Sequence, residues 1–113
     1  KAEEMSYRTV KAEPTNGTYL DTYAWILFEK GKYAEARIYI DQAMQNEGDK
    51  SSVVVEHCGD IYYMSGEKEK ALEYWRQAEK LANEPPLEGS EPRDEKELKL
   101  LKKKIAQKKY FAE

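Results

Sequence analysis

The residues best equipped for chemistry stand together in one short run, Glu56-His57-Cys58-Gly59-Asp60. A histidine beside a cysteine could supply a base and a nucleophile, and a histidine flanked by carboxylates could begin a metal site. Neither arrangement can be completed. Neighbours on a helix point about 100° apart, so His57 and Cys58 do not face each other. A metal needs three or four ligands, and His57 is the single histidine in the sequence. Cys58 is the single cysteine, so it forms no internal disulfide, and it reads as a small buried hydrophobe at a packing position. Asn16-Gly17-Thr18 matches a glycosylation acceptor, but turn and cap chemistry accounts for the same three residues. There is no glycine-rich phosphate loop and no G-x-S-x-G elbow, and one histidine cannot complete a nucleophile, base and orienter. The expectation is a chain that is not an enzyme and uses no cofactor or metal.

Composition narrows the remaining classes. The chain has 113 residues, 40% apolar and 36% charged, with a mean hydropathy of -0.95, which is polar for a domain that must bury a core. Nine tyrosines, two tryptophans and two phenylalanines argue against disorder. The longest uncharged apolar run, TYAWILF at 22–28, is far shorter than the ~20 residues of a membrane span. No charged-then-apolar signal segment opens the chain, and both cytoplasm and periplasm stay open. A net charge of -3 excludes a broad basic footprint for nucleic acid. That charge is uneven: residues 1–93 carry 12 basic and 18 acidic side chains, and residues 94–113 carry 7 lysines and 4 acids. The basic tail is expected either to dock on the acidic body or to form a solvated helix face.

The elements that must position these residues form an internal repeat. Setting Gly31 against Gly66 aligns Ala24 with Gly59, Leu27 with Tyr62, Ala36 with Ala71, Tyr39 with Tyr74, Ile40 with Trp75 and Ala43 with Ala78. Small residues meet small ones and large meet large. Each unit reads as two helices around a glycine that tolerates the left-handed conformation. In the first unit the helices run from about Thr18 to Lys30 and from about Tyr33 to Asn46, with Thr18 and Asp21 as a capping box and a stop at Gly48. In the second they run over about 52–65 and 68–82, with Pro85-Pro86 as the stop. Val53-Val54-Val55 is the weak point, because three β-branched residues lower helix propensity. Residues 2–12 read as one more helix, placed where the second helix of a preceding unit would lie. Residues 83–93 form an acidic, proline-rich linker. A last helix spans about 94–111, with Leu98, Leu101 and Ile105 as its inner stripe, Ala112 one turn on, and Leu100 and Phe111 off the stripe.

These residues resemble the tetratricopeptide repeat family. The second unit supplies the family's large, large-small, aromatic, glycine, small-aromatic-small spacing as Val55, Cys58-Gly59, Tyr62, Gly66, Ala71, Trp75 and Ala78. The first supplies it as Leu20, Tyr23-Ala24, Leu27, Gly31, Ala36, Ile40 and Ala43. Leu20 and Val55 replace the usual tryptophan, and Gly48 and Asn83 the usual closing proline. The resemblance implies an all-α fold, an α-solenoid of antiparallel helix pairs wound as a right-handed superhelix, with a C-terminal capping helix. It divides the chain into the second helix of a truncated repeat (1–16), two repeats (17–51 and 52–84), a linker (85–93) and the cap (94–113), as in the C-terminal portion of a longer bacterial repeat protein.

The resemblance also implies a concave groove lined by the first helix of each unit. Asp21, Trp25, Phe28 and Glu29 then face it from one unit, and Glu56, Asp60, Tyr63 and Met64 from the next. Such an acidic, aromatic groove suits a peptide or protein partner carrying Lys or Arg and an apolar anchor. It does not suit acidic tails, because the acids stand where carboxylate-binding members of the family carry basic or amide residues. The competing reading packs Trp25, Phe28 and Tyr63 inside the array and leaves the acids as solvated charge. The alternative function is structural: an end cap with no separate ligand, self-associating or exchanging helices through the edge at 2–12.

Overall fold

A computed structural model describes the backbone of residues 2–83 and 95–107, and side chains from residue 4 onward within those ranges. Among the described residues six helices follow in order: α1 (Ala2–Ala12), α2 (Gly17–Glu29), α3 (Tyr33–Gln45), α4 (Ser52–Met64), α5 (Lys68–Asn83) and α6 (Glu95–Gln107), with a short 3-10 turn at Gly48–Lys50 between α3 and α4. No strand occurs among the described residues. Helices pair with their neighbours in sequence: α2 with α3 and α4 with α5 most extensively, α3 against α4 between the pairs, α1 on α2 and α6 on α5.

The 35-residue frame recurs bond for bond. Asn16 and Ser51 cap α2 and α4, their side-chain oxygens accepting from Tyr19 N at 3.1 Å and Val54 N at 3.4 Å. At the turns, Lys32 N donates to Leu27 O and Glu67 N to Tyr62 O, both at 2.9 Å. Gly31 and Gly66 hold φ of 79° and 93° there, a region that residues with a Cβ enter only at a cost. The aligned positions Leu20 and Val55, Ala24 and Gly59, Leu27 and Tyr62, Ala36 and Ala71, Ile40 and Trp75, and Ala43 and Ala78 are all buried. The second unit therefore repeats the first in backbone hydrogen bonding as well as in residue size.

Three local expectations change. Asn16 caps α2, not Thr18, which lies exposed in the first turn. Asp21 closes no capping box, because its carboxylate is held by His57 of α4. After α3 the left-handed residue is Glu47, with φ 72°, and Gly48 follows, buried in the 3-10 turn. The valine run is helical throughout: Val54 and Val55 point into the core, and burial of one helix face outweighs a propensity difference of a few tenths of a kcal/mol.

The core is drawn from every helix, and α4 is the most enclosed element, with eight buried residues including Glu56 and Asp60. Helix α1 is at the other extreme. Val10 is buried, but Met5 is 69% exposed and Tyr7, though it lies 5.6 Å from Tyr23 between ring centroids, is also exposed. On α6, Leu101 is fully buried, and Leu98, Leu100 and Ile105 are half-buried. The linker, Phe111 and Ala112 lie outside the described residues.

Candidate functional site

Two clusters of polar side chains form on α4, and they face different neighbours. The first is built from Glu56 and Asp60, one helical turn apart and so on one face. Both are buried, at 6% and 1% exposure, and Lys104 of α6 is buried with them at 2%. Its ammonium lies 2.6 Å from Glu56 Oε2, 2.9 Å from Asp60 Oδ1 and 3.2 Å from Asp60 Oδ2. The indole N–H of Trp75, from α5, donates to the same Asp60 Oδ1 at 3.0 Å. Three helices thus meet on one carboxylate. Gly59 makes this approach feasible: a Cβ there would stand 2.5 Å from Trp75 Cδ1 and 2.6 Å from its Nε1.

Burial is the largest influence on Asp60. It raises the carboxyl to about 6 from an ordinary 3.8, against the opposing pull of the Lys104 charge and hydrogen bond. The acids of α4 are therefore not free anions on an open surface. They form the base of a seat that an ammonium fills.

The second cluster lies between α2 and α4. His57 Nδ1 sits 2.8 Å from Asp21 Oδ1, and the imidazole stacks on Trp25 with centroids 4.1 Å apart and planes 20° from parallel. Trp25 in turn stacks on Phe28 at 4.7 Å. Aromatic planes and one charge-assisted contact thereby join the first helices of the two units. Cys58, next in sequence, points away into the core, where burial pushes its thiol up to about 12. The two residues that invited a catalytic reading thus serve separate environments. Among the described residues no group of three or more His, Cys, Asp and Glu is placed to hold a metal ion.

The eight residues singled out for the groove fall into three settings. Glu56, Asp60 and Phe28 are buried, the two acids beneath α6. Asp21, Trp25 and Tyr63 are half-buried, and Tyr63 stacks on Trp75 at 5.7 Å with the Lys68 ammonium over its ring at 5.6 Å. Glu29 and Met64 are exposed, Met64 at 38%.

Sequence reasoning missed Lys104, His57 as the partner of Asp21, and the indole of Trp75 as a donor. Lys104 did leave a signal. It lies three residues after Leu101 and beside Ile105, on the apolar stripe of a helix whose net charge is opposite to that of the body. His57 left one too: the repeat frame aligns it with Thr22, next to Asp21, so the pair are neighbours across matching helices.

On the far side of α4, Tyr62 OH donates to Asp41 Oδ1 of α3 at 2.6 Å, and the Arg37 guanidinium lies 4.6 Å from the Tyr62 ring centroid. Burial, then the Asp41 hydrogen bond, raise the Tyr62 phenol above its ordinary range. This cluster links the two helix pairs.

No protein-family model matches the chain, and no curated protein matches it significantly.

Proposed function

We propose that this chain is a non-catalytic helical-repeat scaffold of the tetratricopeptide kind, binding a basic, partly apolar peptide or protein on the face shared by α2 and α4. The observation that carries the reading is the Asp21–His57–Trp25 cluster. It fixes the first helices of two successive units side by side and leaves Trp25 and Tyr63 half-buried and Glu29 and Met64 exposed. A face of aromatic rings, a thioether and a carboxylate offers adaptable contact area and one point of charge selection. Glu56 and Asp60 contribute to that face only through its architecture, because α6 covers them.

A second reading is supported by α6 itself. Its Leu101 and Lys104 are buried against the preceding helices, an arrangement that an end cap without a separate ligand would also need. The two readings separate on a peptide array probed with the wild-type chain and with a Glu29→Lys/Met64→Asp variant, both positions exposed and outside the packed core. The scaffold reading expects the wild type to enrich peptides that combine Lys or Arg with a large apolar residue, and the variant to lose that enrichment at least tenfold. An array with no basic preference, or one indifferent to the variant, leaves the end-cap reading.

A further inference from the structure

Asn16-Gly17 is the single Asn-Gly pair of the sequence; Asn46 and Asn83 are each followed by a glutamate. The pair has a chemistry of its own, because glycine has no side chain to shield its amide nitrogen. The Gly17 nitrogen attacks Asn16 Cγ, the Cγ–Nδ2 bond breaks, and ammonia leaves with the proton that Gly17 N carried. Water then opens the succinimide ring at one of its two carbonyls, giving an aspartyl or an isoaspartyl link. Nothing is oxidised or reduced. We infer that Asn16 is a deamidation site that the fold holds shut and that reacts only when the first turn of α2 opens. The inference is independent of the scaffold reading.

Ring closure needs the Gly17 nitrogen on the same side of the Asn16 Cα–C bond as the side chain. With ψ at 104° the nitrogen lies on the opposite side, as in extended backbone generally. Rotating ψ toward closure swings the Asn16 carbonyl away from Leu20 N, which donates to it at 3.0 Å. It also breaks the cap, in which Tyr19 N donates to Asn16 Oδ1 at 3.1 Å. Leu20 is fully buried, so this turn does not unwind without disturbing the core. Both residues are held in place by structure: Asn16 is the cap, and a Cβ on Gly17 would stand 2.6 Å from Asn46 O. The second unit makes the same junction from Ser51 and Ser52, which cannot deamidate; Ser51 caps α4 and Ser52 Oγ donates to Ala78 O at 2.7 Å. Asn16 borders a polar surface cleft with Thr15, Glu47 and Ser51, which admits the water that opens the ring. The two products differ in consequence. Aspartate keeps a capping oxygen and adds negative charge at a helix N-terminus, so α2 reforms. Isoaspartate routes the main chain through an additional methylene, so the carbonyl bond to Leu20 N and the cap on Tyr19 N are not both restored. Opening of the α1–α2 junction is thereby recorded covalently.

The test incubates the full chain at mildly alkaline pH, in native buffer and in denaturing urea, and follows position 16 by peptide mapping of both products. Conversion is expected in urea, and about a hundredfold or more slowly in native buffer, because only the open fraction reacts. Amide hydrogen exchange supplies the second measurement. The rotation that permits attack also frees Leu20 N, so the slowing of Asn16 conversion should match the protection of the Leu20 amide to within about tenfold. Asn16→Ser, which copies the cap of the second unit, should fold as the wild type does by far-UV circular dichroism and give neither product at this position. Native conversion as fast as conversion in urea overturns the inference. So does the absence of product at position 16 in urea, or a slowing that departs from the Leu20 protection by more than that margin.

Discussion

A single carboxyl, that of Asp60, meets α4, α5 and α6 at once, through its own backbone, the Trp75 indole and the Lys104 ammonium. Glu56 and His57 are the other titratable groups acting on it. Because burial raises it from 3.8 to about 6, the folded chain binds a proton between those values that the unfolded chain does not. Stability contributed by Asp60 is therefore fully present below the unfolded value and is lost as pH rises through about 6. Urea midpoints measured at about pH 5 and about pH 7 should show it: this component favours the lower pH in the wild type, and Asp60→Asn should shrink the difference. An unchanged difference in the variant would place the carboxyl in a less enclosed environment than the structure gives it.

At the scale of elements, α4 and α5 depend on a contact that leaves no room for a side chain. Gly59→Ala places a methyl group 2.5 Å from Trp75 Cδ1, and Trp75 is fully buried, so the ring cannot swing clear. The substitution should destabilise the fold by about 1–3 kcal/mol through overpacking, with loss of the indole bond to Asp60. The aligned residue is Ala24, also buried; the first pair accepts a Cβ where the second does not. At the position aligned with the larger Trp75, the first pair carries Ile40. Ala24→Gly is therefore no mirror image of the change. Denaturant midpoints for Gly59→Ala give the answer directly, and a cost near zero would mean the α4–α5 crossing is looser than described.

Across the whole molecule, the Cα radius of gyration is 13.5 Å, close to the ~13 Å of an ordinary single domain of this length. Burial is nonetheless graded. Helix α4 contributes eight buried residues, whereas the described side chains of α1 include a single buried one, Val10. Amide hydrogen exchange should follow the gradient, with α4 protected to the level of global unfolding and α1 opening by sub-global steps at lower free energy. Lys104→Met should speed exchange in α6 before it affects α2 and α3, since the lost contacts join α6 to α4. Uniform protection from α1 to α6 would contradict this order.

Much of this was legible in the sequence, for a physical reason. Helix boundaries, turn glycines and buried positions follow from local periodicity and from the need of each helix pair for small residues where backbones approach. The 35-residue frame carries that information twice, which is why Gly31 and Gly66, or Ile40 and Trp75, could be matched before any coordinate was known. Even the two neighbours His57 and Cys58 could be separated, because helical geometry alone sends them apart. The destination of the charges was not legible. Glu56 and Asp60 look like solvated or groove-facing acids until α6 arrives, and a lysine on an apolar stripe looks like a flaw until two carboxylates are found beneath it. Local pattern fixes which face a side chain occupies on its own helix. Only the packing of helices distant in sequence decides whether that face meets water, a partner or an opposite charge 48 residues away.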